Sequence, residues 1–515
     1  MCSLASANAA SYFVDRHVQE GRGDKVAFRE YGSGRSLTYE ALEEVSGRVA
    51  AAFSQHGIVP EQRVAMLVLD TIEFPQIFWG AIKAGVVPVP LNTLLATSVY
   101  DAILRDSRAT TLFVSEALYD TVAPALADNP FVKHVILIGD GVQAGTIAYQ
   151  TFVESAEAPA AAFDACPDEV AFWLYSSGST GQPKGVHHIH SSLKATADTY
   201  GAQVLGVRED DVVFSAAKFF FAYGLGNAMT FPMAAGATTV LFAGRPTPDA
   251  VIDILNTEKP TIFCGVPTLY AAIVAFMDKS GPPAAPLRSC ISAGEALPED
   301  VGNRWEKHTG VEILDGVGST EMLHIFLSNR PGDVVYGTSG VPVPGYSVRL
   351  VNEAGEDVAT GEVGELLVQG DSAASCYWNQ RAKSRVTFEG VWTRTGDKYE
   401  RRADGRFIYC GRTDDMFKVS GIWVSPFEVE SAIISHADVL EAAVVAARDD
   451  DGLEKPKAYV VLNAGVSSEG IEAALKEHVK TKIGKWKYPR WIACVDELPK
   501  TATGKIQRFK LREDA

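Results

Sequence analysis

The sequence predicts an α/β fold built on mainly parallel sheets, and three observations carry that reading. Short apolar runs alternate with amphipathic helical stretches from Thr38 to Val317, the pattern of βαβ units. The chain has 515 residues, 47% of them hydrophobic, which is enough for large buried cores and too long for one. After Arg412 the pattern changes to a compact α+β unit.

In order along the chain, the first helix starts at Thr38. Leu42, Val45, Val49, Ala52 and Phe53 fall on one face, and Gly57 marks the end. The apolar strand 64–69 follows, then a helix over 77–84, an extended stretch over 86–91, and apolar runs at 110–114 and 134–138. A second series of strands is expected at 211–215, 239–242, 261–266, 289–293 and 312–317. Residues 335–410 are rich in Gly, Val and aromatics at short spacing and read as antiparallel strands. Beyond Arg412 come a helix over 426–436, strands at 440–447 and 458–462, and a helix over 468–483. The expected division is a large domain, 1–413, and a small one, 414–515.

The formal net charge of −17 disfavours nucleic acid and anionic membrane as partners. Against that background, residues 476–512 carry eleven Lys or Arg and three acids, a local reversal that suits a polyanionic ligand. The seven cysteines are scattered without CxxC pairing, which fits a reducing compartment. No leader pattern and no run of about 18 apolar residues is present, so a cytoplasmic protein is expected.

The densest chemical signal is Tyr175-Ser-Ser-Gly-Ser-Thr-Gly-Gln-Pro-Lys-Gly185. Glycines let backbone N–H groups approach an anion, Ser and Thr add donors, and Lys184 adds charge. The arrangement differs from a Walker loop, because Lys184 follows a proline and precedes Gly185 rather than opening a helix after Gly-Lys-Ser/Thr. The apolar run 169–175 leads straight into it as a buried strand.

This loop resembles the phosphate-binding signature of the adenylate-forming superfamily, which includes acyl- and aryl-CoA synthetases, peptide-synthetase adenylation domains and beetle luciferases. Further motifs occur in the family's order: Ser292-Ala-Gly-Glu295, Gly318-Ser-Thr-Glu321, Thr395-Gly-Asp397, Gly411-Arg-Thr-Asp-Asp415 and Pro499-Lys-Thr-Ala-Thr-Gly-Lys505. The resemblance implies a large AMP-binding domain of two α/β subdomains plus a β-subdomain, followed by a small mobile C-terminal domain that hinges at Asp414. It implies ATP and coenzyme A as co-substrates, with Mg2+. Ser176, Ser177, Gly178, Ser179, Thr180, Gly181 and Lys184 would hold phosphate. Gly294, Glu295, Asp315 and Gly316 would line the adenine, with Val317 where many relatives have an aromatic. Asp397 would hold the ribose and Arg412 the same nucleotide region. Thr320 would contact the α-phosphate, and Glu321 would be the metal ligand, a hard carboxylate of the kind magnesium takes. Lys505 would bridge acid and α-phosphate during adenylation, while Lys418 would serve the second half-reaction after rotation about Asp414.

The aromatic run Lys218-Phe-Phe-Phe-Ala-Tyr-Gly-Leu-Gly-Asn227 and the stretch ending at Phe326 resemble benzoate-CoA ligases more closely than fatty acyl or acetyl-CoA synthetases. By that likeness Ala222, Tyr223, Ala293, Gly318, His324 and Ile325 line an aryl pocket, Phe221 stands at the gate, and Tyr223 or His324 reaches a ring substituent or the carboxylate. No aspartate lies between Phe219 and Asn227 to hold an α-ammonium group. Benzoate is the expected acid; 4-hydroxybenzoate, 2-aminobenzoate and transfer to a carrier protein are alternatives. A monomer or homodimer acting on a small aromatic acid is expected. His187, His188 and His190 read as structural, since no further metal ligands stand at suitable spacing.

Overall fold

Thr38 accepts a hydrogen bond from the Ala41 amide at 3.2 Å and so caps the helix Tyr39–Gln55, whose Leu42, Val49, Ala52 and Phe53 are fully buried. The computed structural model describes residues 7–141, 143–177, 183–413, 415–419, 422–449, 453–484, 487–500 and 506–513, with backbone alone at Ser177, Lys418, Ile422, Trp423, Phe509 and Glu513. The first series of strands forms a five-stranded, wholly parallel sheet in the order Val87–Pro90, Arg63–Leu67, Thr111–Ser115, His134–Ile138, Ile147–Ala148. The helix expected over 77–84 starts earlier and spans Glu73–Lys83. Pro75 lies in its first turn, where a missing N–H costs nothing.

The second series forms a nine-stranded sheet. Its central strands, Ile313–Gly318, Ser289–Ser292, Ile262–Gly265, Val212–Ser215, Thr238–Leu241 and Val26–Glu30, are parallel neighbours. Antiparallel strands close both edges: Ile325–Ser328 and Val341–Pro342 on one side, Ser36–Thr38 on the other. Within the stretch 335–410 expected as antiparallel strands, Ser347–Val351, Val363–Gln369, Phe388–Glu389, Trp392–Arg401 and Phe407–Arg412 form a five-stranded antiparallel sheet, while Cys376–Tyr377 pairs with Pro183–Ile189 instead. One element there departs from the expected run of strands, the helix Arg381–Thr387. It buries none of its residues, so it shows no apolar periodicity to detect.

The C-terminal residues build a core of their own from Phe417, Val424, Val429, Ile433, Val444, Val460, Leu475 and Val479. Its sheet pairs Val439–Arg448 with Glu454–Leu462 and Trp491–Cys494, beside the helices Pro426–Ile434 and Ile471–Ile483. The latter starts three residues later than expected because Gly470, at φ 76°, turns the chain into it. No described helix is long and apolar enough to cross a membrane.

The last helix, Arg508–Glu513, is held by charge. Arg508 donates to both oxygens of the buried Glu430 at 3.1 and 2.7 Å, and the Val444 amide donates to the same carboxylate at 2.7 Å. Arg508→Leu is expected to leave Glu430 buried without its cation and lower the stability of the C-terminal unit by about 3 kcal/mol. Replacing both residues with apolar ones should recover much of that loss, which a double-mutant cycle in urea would measure.

Candidate active site

Strand Val170–Ser177 returns antiparallel as Pro183–Ile189, with Tyr175 opposite Gly185, Ser176 opposite Lys184 and Ser177 opposite Pro183. Ser176 and Lys184 therefore flank the glycine-rich segment from paired strands. Gly178, Ser179, Thr180 and Gly181 lie outside the described residues. The three histidines that follow are packed into the protein. His187 stacks on Trp173 at 4.2 Å and Trp378 at 5.6 Å, and Nδ1 of His190 accepts from the Ala9 amide at 3.1 Å. His188 stacks on Phe172, and its Nε2 donates to the Thr320 carbonyl at 2.9 Å. That bond fixes the tautomer and ties the phosphate hairpin to the Gly318-Ser-Thr-Glu321 motif.

Glu321 and Lys184 meet there. Lys184 Nζ lies 3.8 Å from Glu321 Oε1, and both side chains are largely buried. Tyr377 donates its hydroxyl proton to the same Oε1 at 2.6 Å, and the Lys184 ammonium stands 4.8 Å from the Tyr377 ring centroid. Burial pulls the lysine below its usual range; Glu321 opposes that shift, and the charges of Lys383 and Arg412 add to it. Arg412 thus belongs to the same electrostatic neighbourhood. It bonds Asp397 Oδ1 and the Thr395 carbonyl, each at 2.9 Å, where strand Trp392–Arg401 pairs with Phe407–Arg412. The sequence motifs of Lys184, Glu321, Asp397 and Arg412, spread over 229 residues, converge on one polar cluster.

Asp315 and Gly316 lie in strand Ile313–Gly318, beside the end of Ser289–Ser292, after which Gly294 turns at φ 98°. Asp315 is buried, the Leu297 amide donates to its carboxylate at 3.4 Å, and burial pushes its pKa up to about 8.

From Gly318 the chain reverses and re-enters the sheet at Ile325, opposite Gly318. A Cβ at 318 would stand 2.5 Å from the His324 carbonyl oxygen, so only glycine lets the two arms close. Within the turn Leu323 adopts φ 64°, a left-handed conformation uncommon for leucine, and lies buried between Glu321 and His324. His324 is enclosed by aromatic rings, Phe231 at 4.5 Å, Tyr200 at 5.0 Å and Tyr223 at 5.7 Å. Burial lowers its pKa to about 3, so the ring is neutral, and neither ring nitrogen has a regular hydrogen-bond partner among the described residues. Ala222, Ala293 and Ile325 are also buried, whereas Phe221 is half-buried. The Tyr223 hydroxyl is committed to the main chain, its proton shared between the carbonyls of Gly265 at 3.0 Å and Ile291 at 3.1 Å. Of the two candidates for a polar substrate contact, only His324 has ring nitrogens without a regular hydrogen-bond partner among the described residues.

Lys505 and Asp414 lie outside the described residues, as does the side chain of Lys418. Three groups at the site escaped sequence reasoning. Tyr377 stands 56 residues beyond Glu321 in a segment without an apolar pattern. Tyr200, whose hydroxyl is buried without a regular partner, looks in sequence like any core aromatic. Asn227 closes the aromatic run, and it too is fully buried, with neither amide atom in a regular hydrogen bond among the described residues. A cavity of about 610 Å3 lined by Cys376, Arg381 and Arg385 shares Tyr377 with the site but none of the expected acid-contacting residues.

The chain belongs to the AMP-binding enzyme family, whose model matches residues 14–378, with the AMP-binding enzyme C-terminal domain matching 428–505. It is 53% identical to a 4-hydroxybenzoate–CoA/benzoate–CoA ligase of Rhodopseudomonas palustris, covering 99% of this chain and 94% of that protein. It is equally 53% identical to a benzoate–CoA ligase of Thauera aromatica, covering 98% of this chain and 95% of the relative. Among solved structures, a benzoate CoA ligase from Burkholderia xenovorans LB400 superposes with a TM-score of 0.90 at 48% identity, over 98% of this chain and 99% of that one. An anthranilate CoA ligase in complex with anthranoyl-AMP superposes with a TM-score of 0.94 at 41% identity, over 98% of this chain and 97% of that one.

The packed histidines carry a consequence for pH. Burial lowers His187 and His190 to about 4 and His188 to about 3, whereas an unfolded chain binds those protons near 6.5. The stability these groups contribute is complete above about 6.5 and is lost as the pH falls toward their native values. Asp315 acts in the opposite sense, since its raised pKa stabilises the fold at low pH and that contribution fades as pH rises through about 8. His188→Gln, which retains a donor for Thr320, is expected to flatten the fall of unfolding free energy between pH 6.5 and 5 by up to about 1.4 kcal/mol per unit. An unchanged slope would mean that native His188 already takes up the proton.

Proposed function

We propose that benzoate is the acid on which this chain acts, and that the two halves of the site divide the work between nucleotide and ring. The chain is an AMP-forming acid–thiol ligase of the aryl-CoA type: ATP and an aromatic acid give an acyl-adenylate and pyrophosphate, and coenzyme A displaces AMP to give the thioester. A free carboxylate is a poor acyl donor because oxide is not a leaving group; AMP is. The observation that carries the reading is the single turn Gly318–Ile325, which presents Glu321 to the polar cluster and His324 to an aromatic chamber.

In this reading Lys184 and the glycine-rich segment hold the phosphates, Asp397 accepts from the ribose hydroxyls beside its partner Arg412, and Gly294, Glu295, Asp315 and Gly316 border the base. Glu321 fits a magnesium ion: its Oε1 is bonded to Tyr377, and no regular hydrogen bond among the described residues engages its Oε2. Such a hard oxygen ligand suits the ion beside phosphates and waters. Magnesium there would neutralise phosphate charge as the acid attacks. Thr320, whose carbonyl accepts from His188, would contact the α-phosphate. The ring lies in the chamber of Ala222, Tyr223, Ala293, Gly318, His324 and Ile325, with Phe221 at its mouth. The R. palustris and T. aromatica relatives are both named for benzoate.

A second reading, 4-hydroxybenzoate, is favoured by the unpartnered His324 nitrogens and Tyr200 hydroxyl, which a ring hydroxyl would satisfy. A site that pairs a substrate hydroxyl discriminates against its absence by about 10⁴-fold or more, whereas apolar fit is worth about 10–200-fold per methylene. ATP–pyrophosphate exchange dependent on added acid, run across benzoate and its hydroxy and amino derivatives, tests both. Benzoate is expected to give the highest kcat/KM; exchange with no aromatic acid would end the reading.

The domain boundary is placed between 413 and 414, with Asp414 as the hinge, in a cytoplasmic enzyme. Lys505 then serves adenylation and Lys418 thioester formation. Lys505→Ala should lower adenylate formation by at least the ~10²–10³-fold typical of losing one preorganised charge, yet retain conversion of supplied benzoyl-adenylate to thioester. Lys418→Ala should mainly slow the second step. Equal damage by both changes to both steps, in single-turnover assays, would refute the division of labour.

A further inference from the structure

The aromatic run 219–223 is preceded by Lys218, whose side chain is only 17% exposed. Lys218 Nζ donates to the Phe242 carbonyl and, at 2.9 Å, to that of Gly244, both after strand Thr238–Leu241 of the nine-stranded sheet. Its ammonium also lies 4.0 Å from Asp70 Oδ2. Asp70 follows strand Arg63–Leu67 of the other, five-stranded sheet, and is 6% exposed. Its second oxygen accepts from the Phe219 amide at 3.3 Å. Phe219 then stacks on Phe74, on the helix that follows Asp70, with centroids 4.7 Å apart.

These contacts fasten the start of the run to both sheets at once. Next, the Phe221 amide donates to the Lys218 carbonyl at 3.1 Å, and a Cβ on Gly224 would stand 2.0 Å from that same oxygen. The turn therefore has no slack between Lys218 and Tyr223, whose hydroxyl is bonded to Gly265 and Ile291 at the far end. Burial pushes the Asp70 carboxyl up to about 6; Lys218 is the charged group that opposes that shift, and the Phe219 amide opposes it too.

We infer that Asp70 and Lys218 are positioning residues for the acid chamber: a buried ion pair across the two sheets sets where Phe221, Ala222 and Tyr223 stand. Neither residue touches substrate. The inference rests on the proposal that those three residues line the acid site. Loss of the pair shifts the chamber wall and leaves the phosphate cluster, which hangs on the hairpin and on Tyr377, in place.

The test is steady-state kinetics of the full chain with benzoate and ATP for Asp70→Asn, Lys218→Gln and the double variant, with Ala222→Phe as a check on the chamber itself. Each single change is expected to raise the KM for benzoate at least ten-fold while the KM for ATP stays within two-fold. The double variant should do less harm than the sum of the singles, because it removes both charges together. Parallel rises in both KM values, or an unchanged KM for benzoate in soluble Asp70→Asn, would overturn the clamp. Should Asp70→Asn not fold, Lys218→Gln and the double variant decide by the same ratio. If Ala222→Phe leaves the KM for benzoate unchanged, the chamber assignment fails and the clamp with it. If Ala222→Phe raises it while the ion-pair variants do not, the clamp alone is refuted.

Discussion

The close approach at Gly318 is the constraint on which the rest of the site depends. Because residue 318 has no side chain, the arm returning at His324 and Ile325 packs against the strand Ile313–Gly318, and the six residues between form a tight turn. Opposite requirements are met within that turn. Glu321 is offered to a lysine and a tyrosine hydroxyl, in surroundings that favour charge, while His324 three residues later is enclosed by rings that deny it a proton. An enzyme that must join a charged phosphate to an apolar ring needs those two environments a single carboxyl group apart, and the left-handed Leu323 lies between Glu321 and His324.

Around the turn, the supports are indirect and come from distant segments. His188 holds the Thr320 carbonyl from the phosphate hairpin, the Ala374 amide donates to the Glu321 carbonyl at 2.7 Å, and Ser372 Oγ donates to the Met322 carbonyl at 2.7 Å. Tyr377, a few residues further on, reaches the Glu321 side chain itself. The antiparallel sheet that carries Asp397 and Arg412 is thus linked to the turn through the stretch 372–377. Preorganisation of this kind is what electrostatic catalysis requires, since charges held in place need no reorganisation as the reaction proceeds.

Much of this was legible in the sequence, and the reason differs by element. The parallel strands were visible because central strands buried on both faces read as unbroken apolar runs. Lys184 was visible from the glycine- and hydroxyl-rich run around it, whereas Glu321, Asp397 and Arg412 were legible only through the resemblance of their motifs to the adenylate-forming superfamily. The helix Arg381–Thr387 was hidden because it is solvated all round. The hairpin Val26–Glu30 with Ser36–Thr38 was hidden because strands so short carry little periodicity. Tyr377 and Tyr200 were invisible for another reason: an aromatic with a hydroxyl looks the same in sequence whether it fills a core or reaches a carboxylate. The Asp70–Lys218 pair joins residues 148 apart, and no local pattern connects them. Tyr223 was the instructive case. Its position in the chamber was readable, but the use of its hydroxyl on two main-chain carbonyls was not.

The most direct measurement is a crystal structure of the protein with a non-hydrolysable benzoyl-adenylate analogue, such as the benzoyl sulfamate of adenosine. The ring should lie against Tyr223 and His324, the linker beside Thr320 and the ribose hydroxyls on Asp397. A ring bound elsewhere, with the chamber of His324 still closed by its own side chains, would contradict the account.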